Sequence, residues 1–330
     1  MRPKQITQSI THLIDKKIPT FLWGSPGIGK SSIVKQIAQK KQIKFIDLRL
    51  ALLDPTDLKG IPFLDSTNHQ AIWAPPVFLP KDGEGVLFLD ELNSAPPAVQ
   101  ASAYQLVLDR KVGEYVLPDG WSIIAAGNLE SDKAIVYKMA SPLANRFVHL
   151  NMEVDTQDWI EWAYSQKIDE SIIAYINYKP NNLFNFDAKS YKKSFATPRS
   201  WSYVDQIIKT NIDKTILNEV IAGAIGEALA IDYLSFSKVF KKLPNIDDIF
   251  DGNSQEYSDE VDVLYALCSV LTTQLIASPT PKRVENLLKY SLKLQPEFSV
   301  MLIQDLQRQN VPLDYSDIFE QWVERFAYLL

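Results

Sequence analysis

Eight consecutive residues, Gly24, Ser25, Pro26, Gly27, Ile28, Gly29, Lys30 and Ser31, follow the spacing GxxxxGK[ST]. Glycines at those places let successive backbone N–H groups converge on an anion, and a helix opening immediately afterwards adds its positive end. Lys30 contributes a full charge that reaches β- and γ-phosphates, and Ser31 offers a hydroxyl to a hard divalent cation. Ser32 follows in the same first turn and completes the nucleotide-contacting set. Further along, Gly85, Val86, Leu87, Phe88 and Leu89 form an unbroken apolar run that ends in Asp90 and Glu91. A run of this kind suits a buried central strand delivering its acids to the carboxyl edge of a parallel sheet. Asp90 would hold the water shell of Mg²⁺, together with Ser31, and Glu91 would polarise an attacking water. An Asp-Glu pair alone is usually a solvated turn; following a phosphate loop it reads as a hydrolytic pair.

These groups need a sheet to hold them, and the first half of the chain supplies the pattern for one. Short apolar runs at 20–23, 44–48, 86–89, 122–126 and 147–150 alternate with amphipathic stretches, as in helix-covered parallel sheets. Between them, Ile33, Val34 and Ile37 share one face of a helix over 32–41. A second helix over 98–110 follows Pro96 and Pro97, where prolines start helices. Beyond residue 155 the strand signal fades and helices are expected at 157–166, 170–177, 200–209, 216–233, 259–276, 281–294 and 316–329. The expected organisation is an α/β nucleotide-binding core over 1–152, then an all-α region over 153–330.

Composition narrows the remaining classes. The chain has 330 residues with 46% hydrophobic and 22% charged residues, as in folded soluble domains, and its length favours two domains. The single Cys268 excludes an internal disulfide framework, and His12, His69 and His149 are too few and too scattered for a zinc or di-iron site. The opening residues lack a signal-peptide pattern, which points to the cytosol. The apolar stretch at 220–236 is interrupted by Glu227 and Asp232 and falls short of a membrane span, so it reads as a buried helix. Residues 1–150 carry 17 Lys+Arg against 14 Asp+Glu, and the rest carry 17 against 26. An acidic second half disfavours a dedicated nucleic-acid binder.

With these motifs in place, residues 1–210 resemble the AAA+ ATPases of the P-loop NTPase class, and within them the MoxR-like group. LDELNSAPPAVQ at 89–100 is similar to that group's second acidic motif. DPTDLKG at 54–60 resembles its insertion in the second helix, and 110–121 resembles the hairpin before the polar sensor. Such a hairpin is also expected from the alternation and from the turn pair Asp119 and Gly120. The resemblance implies that Asn128, at the end of AAGN, is the first sensor and helps position the attacking water. It implies that Arg146 in SPLANRF is an arginine finger acting on ATP of the adjacent subunit, although Asn145 stands where the group more often has Asp. It implies that Arg199 in TPRSW is the second sensor, brought to the γ-phosphate by a helical lid.

Taken together, the resemblance implies an AAA+ core with a helical lid and C-terminal helical region, using ATP and Mg²⁺. It implies a hexameric ring that remodels, activates or matures a protein partner in the manner of a chaperone, a client with a von Willebrand factor A domain being the analogy. A nucleic-acid motor or loader is the alternative; Lys59, Arg110 and Lys111 form a thin basic set, opposed by Glu114 and Asp119 in the hairpin. A nucleotide-binding module without turnover would need a missing catalytic group, and each group has a candidate. Trp159 and Trp162 read as a packed helix face, Cys268 as buried and inert, and His12 as part of an amphipathic opening helix. The acidic segment 245–252 reads as a solvated loop, and the helices beyond residue 210 match nothing specific.

Overall fold

A computed structural model describes residues 1–65, 67, 69–132, 137–190, 192–210, 212–254, 258–313 and 316–329. The chain divides into two compact units, residues 1–155 with 187–191, and residues 156–186 with 192–330.

In the first unit, helix α1 (Pro3–Asp15) leads into β1 (Thr20–Trp23), α2 (Lys30–Lys40) and β2 (Lys44–Arg49). The short helix α3 (Pro55–Lys59) and the strands β3 (Ile61–Asp65) and β4 (Gln70–Ala74) follow. Then come β5 (Gly85–Asp90), α4 (Pro97–Asp109), β6 (Lys111–Val112), β7 (Tyr115–Val116), β8 (Trp121–Gly127), α5 (Ser141–Ala144) and β9 (Val148–Asn151). Five strands form one parallel sheet in the order β2-β5-β8-β1-β9. Their side chains alternate between faces. Phe21, Leu87, Leu89, Ile123 and Ala125 meet Val99, Ala103 and Leu106 of α4 in one cluster. Leu22, Val86, Phe88 and Ile124 point the other way and are equally buried. On that face Ser122 Oγ donates to the Ile14 carbonyl of α1 at 2.9 Å, and α2 packs on β2 and β5. Burial on both faces explains the uninterrupted apolar runs of β5 and β8.

One local feature was not anticipated, and another differs from the sequence expectation. The segment after 54–60 builds an antiparallel hairpin, β3–β4, closed where Gly60 (φ +87°) passes the Ala74 carbonyl so tightly that a Cβ would lie 1.9 Å from it. The hairpin expected over 110–121 does form, as β6–β7, but it turns at Gly113 (φ +57°) and Glu114. Asp119 and Gly120 instead bend the chain into β8, where Trp121 N–H donates to the Pro118 carbonyl at 3.0 Å.

The second unit is helical, with α6 (Thr156–Ser165), α7 (Glu170–Tyr178), α8 (Pro198–Ile208), α9 (Lys214–Ile225) and α10 (Glu227–Ser237). It continues through α11 (Ile246–Asp251), α12 (Val261–Ala277), α13 (Pro281–Ser291), α14 (Pro296–Arg308) and α15 (Asp317–Phe326). The single helix expected over 216–233 is two, because Gly226 adopts φ +94°, ψ 149° and ends α9. Their apolar stretch is only partly covered, Ile231 being half exposed. The acidic segment read as a solvated loop is α11, capped by Asn245, with Gly252 (φ +80°) at its end. Its Ile249 and Phe250 are buried in the core beside Val284 and Leu287 of α13, which overrides the exposed aspartates. Helix α14 was not anticipated; Pro296 starts it, and Phe298, Leu302, Ile303 and Leu306 bury one face. Trp159 and Cys268 are buried as expected. No helix among the described residues is long and apolar enough to cross a membrane.

Asp305 lies on the inner face of α14, 3% exposed, with Arg308 Nη1 at 3.0 Å and the Tyr164 hydroxyl at 3.5 Å. Burial outweighs the Arg308 charge and pushes this carboxyl up to about 6. A raised carboxyl binds its proton more tightly in the native state than in the unfolded chain. Between the unfolded value near 3.9 and about 6, stability therefore falls as pH rises, by up to roughly 3 kcal/mol. Asp305→Asn removes this term, so its stability relative to the parent is expected to improve as pH goes from 4 to 7. Urea unfolding of both proteins across that range checks it; a constant difference between them rules the account out.

Candidate nucleotide site

The carboxyl ends of β1, β5 and β8 lie together because those strands are neighbours in the sheet, with Trp23 opposite Gly127 and Leu89 opposite Ala125. The loop from Gly24, the Asp90–Glu91 pair and Asn128 leave the sheet at this one edge. The loop enters α2 through Gly27 (φ +78°) and Gly29 (φ +101°), conformations that L side chains rarely adopt. At α2 no side chain caps the N-terminus and no acid stands in the first turn, so its leading N–H groups suit an anion.

Lys30 Nζ donates to the carbonyls of Gly24 at 2.6 Å and Ser25 at 3.0 Å, and to Asn128 Oδ1 at 3.1 Å. The backbone of Asn128 is itself gripped by Asn93. Its N–H donates to Asn93 Oδ1 at 3.2 Å, and Asn93 Nδ2 donates to its carbonyl at 2.8 Å. Asn93 is 2% exposed and packs over Gly127, where an added Cβ would lie 2.3 Å from Asn93 Oδ1. Glycine at 127 is thus a close-approach requirement. A continuous chain of hydrogen bonds runs from Asn93 through Asn128 and Lys30 to the loop. The positioning role of Asn93 was not read from the sequence, where its only signal was its place in LDELNSAPP.

Asp90 Oδ1 accepts the Glu91 N–H at 3.0 Å, and Glu91 adopts φ +56°, ψ 34°. A non-glycine residue held in this left-handed region costs about 1 kcal/mol or more, and such outliers concentrate at functional sites. Asp47 of β2 joins the acidic pair: loss of solvation, then the Asp90 carboxylate, raises it above the ordinary aspartate range. Mid-strand placement hid it in the sequence. Ser25 Oγ donates to Asp132 Oδ1 at 3.2 Å across the mouth of the loop.

Arg146 is not brought to this edge. It lies in the exposed turn between α5 and β9, before the start of a strand that runs parallel to β1, so the sheet separates it from its own chain's loop. Its guanidinium has no hydrogen bond or ion pair among the described residues. Arg199 belongs to the second unit, exposed in the first turn of α8, whose cap Thr197 accepts the Ser200 N–H at 3.1 Å. Among the described residues no group of three or more acidic, His or Cys side chains forms a metal site by itself.

Sheet, loop and acidic pair define a nucleotide-binding α/β fold. Residues 20–149 match the model of the family described as the ATPase family associated with various cellular activities (AAA). No curated protein matches the sequence. Among solved structures, the chain is similar to a RuvB point mutant from Thermotoga maritima, at 15% identity over 85% of this chain and 86% of that one, TM-score 0.42. It is also similar to NtrX from Brucella abortus in complex with ATP, at 13% identity over 93% and 68%, TM-score 0.41. A protein of Cytophaga hutchinsonii is 14% identical over 99% and 89%, TM-score 0.39.

Proposed function

We propose that this chain is a MoxR-like AAA+ ATPase that hydrolyses ATP at sites shared between subunits of a ring, a hexamer, and uses the motion to remodel a protein client in the cytosol. The observation that carries the reading is the hydrogen-bonded chain from Asn93 through Asn128 and Lys30 to the loop, beside Asp90 and Glu91 at one sheet edge. The core is taken as 1–152 and the helical lid with its C-terminal region as 153–330.

The residues present fit MgATP. The open glycine loop, the uncapped N-terminus of α2 and Lys30 suit polyphosphate, and Ser31 and Asp90 are hard oxygen donors. MgATP bound there supplies the phosphoryl group to be transferred and the cation that neutralises it. Gly24, Ser25, Pro26, Gly27, Ile28, Gly29, Lys30, Ser31 and Ser32 hold the nucleotide. Glu91 takes the proton of the attacking water, Asn128 orients that water, and Arg199 reports on the γ-phosphate through the lid. Arg146, turned away from its own loop, completes the site of the next subunit.

A shared site has a direct test. Arg146→Ala is expected to keep MgATP binding and lose about 10³-fold in kcat, and wild-type activity should track the oligomeric fraction seen by light scattering. A fully active monomer sinks the shared site. The client class, for which a von Willebrand factor A domain remains the analogy, is tested by capture from a lysate on an ATP-locked ring. Protein retention that survives nuclease supports it; retention lost with nuclease replaces it with a nucleic-acid motor.

A further inference from the structure

We infer that His149 is a positioning residue that clamps the turn carrying Arg146, a role that rests on the shared-site reading above. His149 stands on β9 directly opposite Phe21 of β1, and Trp23 follows two residues later on the same face. The Trp23 indole N–H donates to His149 Nδ1 at 2.9 Å, and His149 Nε2 lies 2.8 Å from the Ala144 carbonyl.

The chemistry of the partners settles the proton. An indole nitrogen only donates, so Nδ1 is the unprotonated acceptor; a carbonyl only accepts, so Nε2 carries the hydrogen. These two partners select one tautomer of the imidazole, whose plane lies near that of Trp23, 23° apart at 6.0 Å.

The Ala144 carbonyl also accepts the Phe147 N–H at 3.2 Å. Both of its lone pairs are then used, one by the backbone that closes the turn and one by His149. Arg146 lies inside that turn, and its N–H donates to the Leu143 carbonyl at 3.1 Å. Phe147 anchors the turn from below, 5.5 Å from Phe21 edge to face, with Leu143 buried alongside. His149 itself is exposed, so it fills no core; its two bonds fix where the turn sits. The other end of this clamp is Trp23, the residue before Gly24. The clamp thus sets the angle of a finger that must meet a neighbour's nucleotide, where a misplacement of about 1 Å costs up to about 10²-fold in rate.

Mixed rings test it. A Lys30→Ala subunit cannot use its own loop but offers an intact finger, so it complements a partner whose only defect is the finger. His149→Asn keeps an acceptor for Trp23 and deletes the donor to Ala144; it is expected to lose about ten-fold in kcat with MgATP affinity unchanged. Mixed with Lys30→Ala it should regain activity above the mean of the two alone, as Arg146→Ala mixed with Lys30→Ala does. Full activity of His149→Asn, or no regain while Arg146→Ala regains, overturns the role of His149. No regain for Arg146→Ala overturns the shared site and this role with it. If His149→Asn melts early, Trp23→Phe, which deletes only the indole donor and keeps an aromatic ring, decides by the same mixture.

Discussion

Glu91→Gln is expected to lower kcat for ATP hydrolysis by about 10²–10³-fold, roughly 3–4 kcal/mol of barrier, while MgATP still binds. Glutamine matches glutamate in size but cannot accept the proton of a water. The backbone bend at Glu91, φ +56°, comes from the strand end and the Asp90 bond to its N–H, both of which the variant keeps. Removing one charge from the group around Asp47 and Asp90 also relieves repulsion, because Glu91 is among the charges that raise Asp47. Binding is therefore expected to hold or tighten. Phosphate release and equilibrium nucleotide titration on the same preparation separate the two; a variant with near-wild-type kcat removes Glu91 from the base role.

Lys30→Ala has the opposite signature. Lys30 Nζ spans the Gly24 and Ser25 carbonyls and Asn128 Oδ1, so its loss frees both the loop and Asn128 as well as deleting the charge. Charge-assisted hydrogen bonds contribute about 1.5–3 kcal/mol each. MgATP affinity is expected to fall by about 10²-fold or more and hydrolysis to drop below detection. The melting temperature without nucleotide should change little, since the sheet core does not depend on this side chain, but the stabilisation that MgATP confers should vanish. A variant that still binds MgATP as tightly as the parent shows that the loop's backbone alone suffices. Comparing the two variants distinguishes chemistry from binding at one site.

Much of this was legible along the chain because the groups concerned are local. The loop from Gly24 to Ser31 is read in one stretch, its glycines specifying backbone geometry and its lysine the charge. The runs ending at Asp90 and Asn128 declared central parallel strands, because burial on both faces leaves no polar alternation. The opening of α8 at Thr197 and Pro198 is a capping signal of the same local kind. Where the reading failed, the deciding factors were burial in one case and glycine backbone conformation in the other two. Ile249 and Phe250 pulled an acidic segment into a helix, Gly226 cut one helix into two, and the β6–β7 turn settled on Gly113 rather than on the stronger turn pair at 119–120.

The sequence by itself determined the chemistry on offer: a phosphate loop, an acidic pair and a polar amide, in an order that resembles a family of ATPases. Tertiary structure decided which of these meet. Asn93 and Asp47 came to the site through strand order and a turn, at separations no local pattern encodes. Arg146 was carried away from its own loop because a parallel strand puts its beginning and its end at opposite edges of the sheet. His149 found Trp23, 126 residues earlier, because β9 pairs with β1. Hydrogen bonds between distant residues depend on register, and register is set by the whole buried face of the sheet rather than by the residues that make the bond.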